Sequence, residues 1–162
     1  MGIVNFKNVG SPVELISKLK DVFSISTFVE TGTYKGSTAC WASGVFDRVI
    51  TIEASEGLYQ EVTEKYRDVG NIEFIYGDSR ERLRDVIAKL EGPSIFWLDG
   101  HWSGGATYGV NSQCPLIEEI EIINNSEYEH FILIDDARYF LSPPPEPHPA
   151  EQWPNSGLIF AS

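Results

Sequence analysis

Hydrophobic residues gather along the chain in short runs, separated by stretches with helical spacing. Five of these runs are rich in β-branched or aromatic residues, a composition typical of buried strands. They predict strands at 27–30, 48–53, 72–76, 94–98 and 130–134. Strands that alternate with helices at roughly 20-residue intervals indicate βαβ units, and therefore an α/β fold with a parallel sheet and helices on both faces.

Three of the remaining stretches carry helix signals. The sequence SPVE at 11–14 predicts a capping box that starts a helix ending at residue 23. Asp78 and Glu81 form a similar capping pair before an amphipathic stretch. Pro115 suits the first turn of a third helix. Its predicted apolar and acidic faces are Leu116, Ile117, Ile120 and Ile123, opposite Glu118, Glu119 and Glu121.

Charge limits the classes of partner. The 162 residues include 24 acidic and 12 basic ones, for a net charge of −12. Because this charge repels phosphate backbones and anionic bilayers, neither nucleic acid nor a membrane is expected as a partner. Cys40 and Cys114 fall inside predicted helices without a metal-binding spacing, which favours core or near-core thiols in a reducing compartment. We therefore expect a cytoplasmic protein with one domain, at 1–141.

Each predicted strand is followed closely by an acid. Ligands of parallel sheets bind outside the carboxyl ends of the strands, so the functional site is expected there. The segments concerned are 30–32, 53–54, 77–78, 99–101 and 135–136.

The first of these turns, ETGTYKGS, combines Glu30 with Gly32 and Gly36. Glycine lets the backbone turn tightly and approach a ligand, and Ser37 is predicted to cap the next helix. A carboxylate here repels a pyrophosphate but suits a ligand with an ammonium or sulfonium group. The dinucleotide motif G-x-G-x-x-G is absent. A purely structural turn is the alternative.

Two further acids have a candidate contact with a nucleoside. Glu53 ends the second strand, where a carboxylate can accept hydrogen bonds from both hydroxyls of a ribose. A solvated charge is the alternative. Asp78 can contact an adenine amino group, although helix capping explains it equally well.

Asp99, Asp135 and Asp136 follow the fourth and fifth strands, which we expect to be neighbours. Three carboxylates in one cleft require a counter-cation, and hard oxygen ligands favour Mg²⁺, Mn²⁺ or Ca²⁺. The alternative is that one acid binds ligand while the others contact Arg138 or nearby amides. His101 can act as a general base, as a further metal ligand or as a surface residue.

Two segments have no regular pattern. The loop at 102–113 mixes glycine with aromatic residues, and Trp102 and Tyr108 are candidates for packing against an acceptor; a surface excursion is the alternative. The proline-rich tail at 142–162 is predicted to be extended along the surface, with a short strand at its apolar end.

In this order, the motifs resemble those of class I S-adenosylmethionine-dependent methyltransferases, and among them the metal-dependent O-methyltransferases of catechol, macrolide and sugar type. The motifs are FVETGTYKGSTACWAS, VITIEAS, IEFIYGDS, FWLDGHW and FILIDDARYF, within about residues 27–140. The resemblance implies a doubly wound, Rossmann-like sheet of five strands in the order 3-2-1-4-5. Because only 26 residues follow Asp136 and most of them lie in the proline-rich tail, we expect the two strands that usually complete this sheet to be absent.

The resemblance also implies residue roles, with the glycine turn around the methionine part of the cofactor, Glu53 at the ribose and Ser79 on the adenine side. The implied cofactor-binding residues are Glu30, Gly32, Thr33, Tyr34, Gly36, Ser37, Glu53, Ala54, Asp78 and Ser79. The implied ligands of a divalent metal, Mg²⁺ first, are Asp99, Asp135 and Asp136. Catechol-type enzymes carry a lysine base where this chain has Ser103, which leaves His101 and Asp99 as candidate catalytic residues.

We therefore expect metal-assisted transfer of a methyl group from S-adenosylmethionine to a hydroxyl of a small molecule, such as a sugar or a polyketide. An inactive module that only binds the cofactor is the main alternative, and an NAD-dependent oxidoreductase is less favoured. A bare fifth strand is an aggregation hazard. The tail would cover it, a second subunit would pair with it in a homodimer, or the chain is a shortened form.

Overall fold

The computed structural model describes residues 11–101, 114–140 and 150–153. Within them, five strands form one parallel sheet in the order β3-β2-β1-β4-β5, so the predicted order is confirmed. Their bounds agree with the predicted ones to within one residue. The strands are β1 (Thr27–Thr31), β2 (Arg48–Glu53), β3 (Ile72–Tyr76), β4 (Ser94–Leu98) and β5 (Phe131–Ile134).

Helices connect the parallel strands, because two parallel neighbours cannot be joined by a tight hairpin. The helices are α1 (Val13–Phe23), α2 (Ser37–Ser43), α3 (Glu56–Lys65), α4 (Ser79–Ile87) and α5 (Leu116–Asn124). Short 3₁₀ turns follow at Ala137–Phe140 and Ala150–Gln152.

The sheet has a hydrophobic core on each face. Alternate residues of β1 point to opposite faces: Phe28 packs with Ile16 of α1 on one side, and Val29 packs with Leu83 of α4 on the other. All five residues of β4 are buried, as expected for a strand covered on both faces. The helices on the two faces leave the carboxyl edge of the sheet to the loops that carry the strand-end acids.

The structure corrects two predicted helix starts. The capping box at 11–14 is wrong, because Pro12 is the N-cap of α1 and its carbonyl oxygen accepts the Ile16 N–H at 3.0 Å. Ser11 therefore lies outside the helix, which begins at Val13 rather than at residue 11. No side-chain hydrogen bond caps α1.

The second correction concerns Ser37, which is the first residue of α2 and not its cap. Gly36 takes the N-cap with a left-handed φ of 72°. The predicted cap Asp78 is confirmed, since its carboxylate accepts the Arg80 N–H at 2.9 Å.

Burial corrects further residues. Cys40 is exposed on α2, so it is not a core thiol, and Cys114 precedes α5 rather than lying in a helix. Burial raises the pKa of the Cys114 thiol to about 12. Glu119, predicted on the acidic outer face of α5, is 1% exposed.

Part of the predicted surface tail folds back onto the molecule. Trp153 is 6% exposed and belongs to the core between the sheet and α5, so the extended surface conformation is wrong for residues 150–153. The apolar end of the tail and the loop with Trp102, Ser103 and Tyr108 lie outside the described residues. Among the described helices, none has the length and apolar content needed to cross a bilayer.

Candidate functional site

The strand-end acids meet at one edge of the sheet. The register pairs Thr31 of β1 with Ile52 of β2 and with Leu98 of β4, and Leu98 in turn with Ile134 of β5. Because the four strands end at the same level, the residues that follow them lie side by side. This edge therefore brings together carboxyl groups of the predicted cofactor site and of the predicted metal site.

The turn from β1 to α2 has a left-handed backbone at Gly32, Tyr34 and Gly36, with φ of 83°, 49° and 72°. A Cβ atom on Gly32 would lie against the carbonyl oxygen of Asp99, and one on Gly36 would lie 2.6 Å from the Tyr66 ring. Glycine is therefore required at 32 and 36 for both φ and space. Tyr34 adopts this uncommon φ with its side chain 52% exposed at the edge of the sheet.

Glu53 holds this turn from the end of β2. Its Oε2 accepts the Tyr34 N–H and its Oε1 accepts the Ser55 N–H, each at 2.8 Å. The two bonds span the intervening Ala54 and fix the carboxylate plane. Each carboxylate oxygen has a second lone pair, so Glu53 keeps the capacity to accept two further hydrogen bonds.

Glu30 is buried behind the same turn, with 2% exposure. Its pKa is raised to about 8, mainly by burial. Hydrogen bonds from Thr51 and Thr38 oppose this rise and only partly offset it. The Thr51 hydroxyl donates to Glu30 Oε2 at 2.7 Å and must therefore accept from Thr33, whose Oγ1 lies 2.6 Å away. The carboxyl is thus protonated in much of the protein at neutral pH.

Asp78 and Ser79 lie at the start of α4, on the side predicted for adenine. Arg80 binds Asp78 through its backbone N–H, Nε and Nη2, at 2.9, 2.9 and 2.6 Å. These hydrogen bonds hold the pKa of Asp78 below its usual value. Helix capping and this ion pair account for Asp78, whereas Ser79 is buried next to Glu119.

Asp99 and Asp135 share the ends of β4 and β5. Their backbone N–H groups continue the sheet pattern, to the Thr31 and Leu98 carbonyl oxygens respectively, each at 3.0 Å. Burial, followed by the charge of Asp135, raises the pKa of Asp99 to about 7. The predicted convergence of these two carboxyl groups is confirmed by this interaction.

His101 stands between two of the aspartates. Its Nδ1 lies 3.6 Å from Asp99 Oδ1 and its Nε2 lies 3.3 Å from Asp136 Oδ2. Burial lowers the pKa of His101, but the Asp136 hydrogen bond and the surrounding negative charges outweigh burial and raise it. Asp136 also binds Arg138 Nη2 at 2.8 Å through its other oxygen. The predicted alternative of contact with Arg138 therefore holds for Asp136.

An aromatic layer covers His101. Its ring centroid lies 5.3 Å from that of Trp153, which in turn lies 5.3 Å from that of Tyr139. The His101 side chain is consequently only 8% exposed, compared with 34% for Asp99. The proline-rich composition of the tail carried no signal that Trp153 would pack here.

The predicted three-aspartate metal site does not fit this arrangement. Among the residues that the structure describes, no three His, Cys, Asp or Glu side chains are placed to hold one metal ion. Carboxylates have the right donor chemistry for Mg²⁺. However, both oxygens of Asp136 already have side-chain partners, Oδ2 with His101 and Oδ1 with Arg138, and the imidazole stands between Asp99 and Asp136.

Sequence reasoning missed one residue of this edge, Glu119. It lies three positions after Leu116 and four before Ile123, on the apolar stripe of α5. That spacing was the available signal, because residues three and four apart share a helix face. Burial raises the pKa of Glu119 to about 7.

Comparisons with known proteins agree with the fold. No family model and no curated protein matches the chain. Among solved structures, it is similar to the O-methyltransferase TomG from Streptomyces achromogenes, involved in tomaymycin synthesis and solved with S-adenosylmethionine. The TM-score is 0.63 at 15% identity, over 90% of this chain and 66% of that one.

Two further structures give the same result. The methyltransferase PaMTH1 from Podospora anserina, bound to S-adenosylhomocysteine, has a TM-score of 0.59 at 18% identity, over 94% of this chain and 64% of that one. A candidate caffeoyl-CoA O-methyltransferase from Staphylococcus aureus has a TM-score of 0.59 at 18% identity, over 86% of this chain and 61% of that one. The chain therefore has the Rossmann-like methyltransferase fold, and it spans less than two thirds of each of these three structures.

Proposed function

We propose that the chain transfers the methyl group of S-adenosylmethionine to a hydroxyl oxygen of a small molecule. The observation that carries this proposal is the arrangement at the ends of β1 and β2, where a left-handed glycine turn lies between the buried Glu30 and the fixed Glu53 carboxylate. S-adenosylmethionine combines a cationic sulfonium and ammonium end with a ribose diol. A dinucleotide would instead bring a pyrophosphate, which the Glu53 carboxylate repels.

The ribose is assigned to Glu53. Its two backbone hydrogen bonds hold the carboxylate in place before any ligand arrives, so little conformational entropy is lost on binding. The lone pairs that remain on the two oxygens match the two hydroxyls of a vicinal diol.

The cationic end of the cofactor is assigned to the side of Glu30. Since this carboxyl is 2% exposed, it acts on the cofactor through its charge rather than by direct contact. A nearby sulfonium favours the ionised carboxyl, so binding is linked to release of the Glu30 proton below a pH of about 8.

The chemical step is an in-line displacement. The acceptor oxygen forms a bond to the methyl carbon while the carbon–sulfur bond breaks, and the electron pair of that bond stays on sulfur, giving neutral S-adenosylhomocysteine. The hydroxyl proton passes to Asp99, whose pKa of about 7 suits a general base and whose side chain is more exposed than that of His101. His101, whose Nδ1 lies 3.6 Å from Asp99 Oδ1, is assigned the role of orienting this carboxyl.

Most of the acceleration is assigned to positioning, which can supply several orders of magnitude when the reacting atoms are aligned. No step is assigned to a metal, because the described acids are not arranged as a ligand set. Divalent-metal assistance remains a prediction, as do the hydroxylated acceptor, the homodimer, the exclusion of nucleic acid and membrane, and the cytoplasmic location.

Calorimetry tests the cofactor assignment. The protein is titrated with S-adenosylhomocysteine and, separately, with NAD. We expect binding of the first and none of the second. Binding of NAD alone would refute the proposal and favour the oxidoreductase alternative.

A methyl-transfer screen tests turnover. Labelled S-adenosylmethionine is offered with hydroxylated sugars and polyketides, with Mg²⁺ or with chelator. Asp99→Asn is expected to keep its affinity for S-adenosylhomocysteine within a few-fold and to lose roughly 100-fold or more in turnover. Cofactor binding without turnover on any acceptor would favour the inactive module. Loss of turnover with chelator, restored by Mg²⁺ in the wild type but not in Asp135→Ala, would bring the metal back into the mechanism.

A further inference from the structure

Thr51 is a polar residue in the middle of a buried strand. It is fully buried in β2, where the residues around it, Val49, Ile50 and Ile52, are all apolar. Valine has nearly the same shape and would pack at this position without the cost of burying a hydroxyl. The packing of β2 therefore does not explain the hydroxyl, and its hydrogen-bond partners must.

The Thr51 hydroxyl connects Glu30 with the glycine turn. The sheet register places Thr51 directly beside Glu30, and Thr51 Oγ1 donates to Glu30 Oε2 at 2.7 Å. On the other side, Thr51 Oγ1 lies 2.6 Å from Oγ1 of Thr33, which follows Gly32 in the turn. Thr33 and Glu30 are buried as well, so solvent does not interrupt this row of three side chains.

The direction of the two hydrogen bonds depends on the charge of Glu30. An ionised carboxylate can only accept, so Thr51 donates to it and Thr33 donates to Thr51. Both hydroxyl protons then point towards Glu30, and Thr33 presents only oxygen lone pairs at the turn. A protonated carboxyl can donate to Thr51, which reverses the order of donors and directs a hydroxyl proton towards the turn.

This difference affects a cationic ligand. Hydrogen bonds in a chain polarise one another, so the negative end of the ionised row lies at Thr33, closer to the turn than the carboxylate itself. Two other charged groups act on Glu30: Glu53 at the end of β2 and Asp99 after β4 both disfavour its ionised form. The hydrogen bond from Thr51 opposes them and favours the ionised form.

We infer that Thr51 is a positioning residue of the proposed cofactor site, which together with Thr33 relays the negative charge of Glu30 to the glycine turn and so favours a cationic sulfonium over a neutral thioether. The relay explains how a carboxyl that is too buried to touch the cofactor distinguishes S-adenosylmethionine from S-adenosylhomocysteine. The inference rests on the proposed function, which assigns the cationic end of the cofactor to this turn.

Two measurements test the relay. Thr51→Val removes the hydroxyl but keeps the shape of the side chain. In calorimetry at pH 8.5, its preference for S-adenosylmethionine over S-adenosylhomocysteine should be about five- to tenfold lower than that of the wild type, with the affinity for S-adenosylhomocysteine changed less than about threefold. Carbon-13 NMR of the ligand-free protein, with Glu30→Gln identifying the signal, should show the Glu30 carboxyl titrating about one to two pH units higher, because a hydrogen bond to a charged group is lost.

Other variants control for structural effects. Thr51→Ser keeps the hydroxyl and should behave like the wild type in both measurements. Thr63→Val is the matched control, because it removes a hydroxyl that donates to the Tyr59 carbonyl oxygen at 2.7 Å in α3, and it should change neither quantity. If Thr51→Val does not fold, Thr33→Val removes the outer hydroxyl instead and should lower the preference about two- to threefold.

The outcomes are distinguishable. If the wild type does not bind S-adenosylhomocysteine, the proposed function is overturned and the inference falls with it. If the wild type binds but the valine variant keeps the wild-type preference, or if Thr51→Ser loses the preference as Thr51→Val does, the inference alone is overturned. An unchanged titration of Glu30 in Thr51→Val would overturn it as well.

Discussion

Replacement of Glu30 by glutamine should make the ligand-free protein more stable, and increasingly so as the pH rises. The carboxyl is buried and has a pKa raised from 4.5 to about 8. Glutamine keeps the shape and an oxygen that can accept the Thr51 hydroxyl, now at 2.7 Å from Glu30. The substitution removes only the negative charge of the carboxylate, which in the wild type must form in a buried environment.

The direction and the size of this change in stability follow from proton linkage. A raised pKa means that the folded protein holds the proton more tightly than the unfolded chain. The stability from this proton is fully present below pH 4.5 and is lost as the pH rises from 4.5 to about 8. At about 1.4 kcal/mol per pH unit of pKa difference, the wild type loses on the order of 4 to 5 kcal/mol across this window, as an upper bound. Glu30→Gln loses none of it.

Urea unfolding at pH 5 and at pH 8.5 measures the effect. The gap in free energy of unfolding between Glu30→Gln and the wild type should widen by several kcal/mol at the higher pH. Glu91→Gln, the same change at an exposed position, controls for net charge. Its free energy of unfolding should depend on pH in the same way as that of the wild type. If the gap in free energy of unfolding between Glu30→Gln and the wild type is the same at both pH values, the Glu30 carboxyl is solvated and the argument from burial is refuted.

Three further predictions concern the same turn. Gly32→Ala should lower stability by at least about 2 kcal/mol in thermal or urea unfolding, because φ is 83° and the new Cβ meets the Asp99 carbonyl oxygen. Gly57→Ala, in open space on α3, should instead stabilise by about 0.5 to 1 kcal/mol, and equal effects would contradict the steric reading. Glu53→Ala should weaken binding of S-adenosylhomocysteine about 100-fold in calorimetry and Glu53→Gln less so; equal affinities would remove the ribose contact. Finally, the preference for S-adenosylmethionine over S-adenosylhomocysteine should rise between pH 6 and 8.5 in the wild type and stay flat in Glu30→Gln, and a flat wild-type profile would exclude a Glu30–sulfonium interaction.

The order of the elements and the location of the site at the carboxyl edge of the sheet could both be predicted from the sequence. Runs of apolar residues specify strands because a strand covered on both faces must be hydrophobic throughout, and helical spacing specifies the elements between them. Parallel strands end at one edge, so Glu30, Glu53 and Asp99 could be assigned to the same region from the sequence alone.

The partners of each acid, in contrast, depend on how the elements pack together. Glu119 was predicted on the surface but is buried, because α5 packs the face that carries Leu116 against the sheet. Which face of a helix packs inward depends on the neighbouring elements. His101 lies between Asp99 and Asp136 under Trp153, which is distant in sequence. Periodicity describes one element at a time, whereas pKa values, ion pairs and a fit for a metal depend on side chains from several elements, which packing alone brings together.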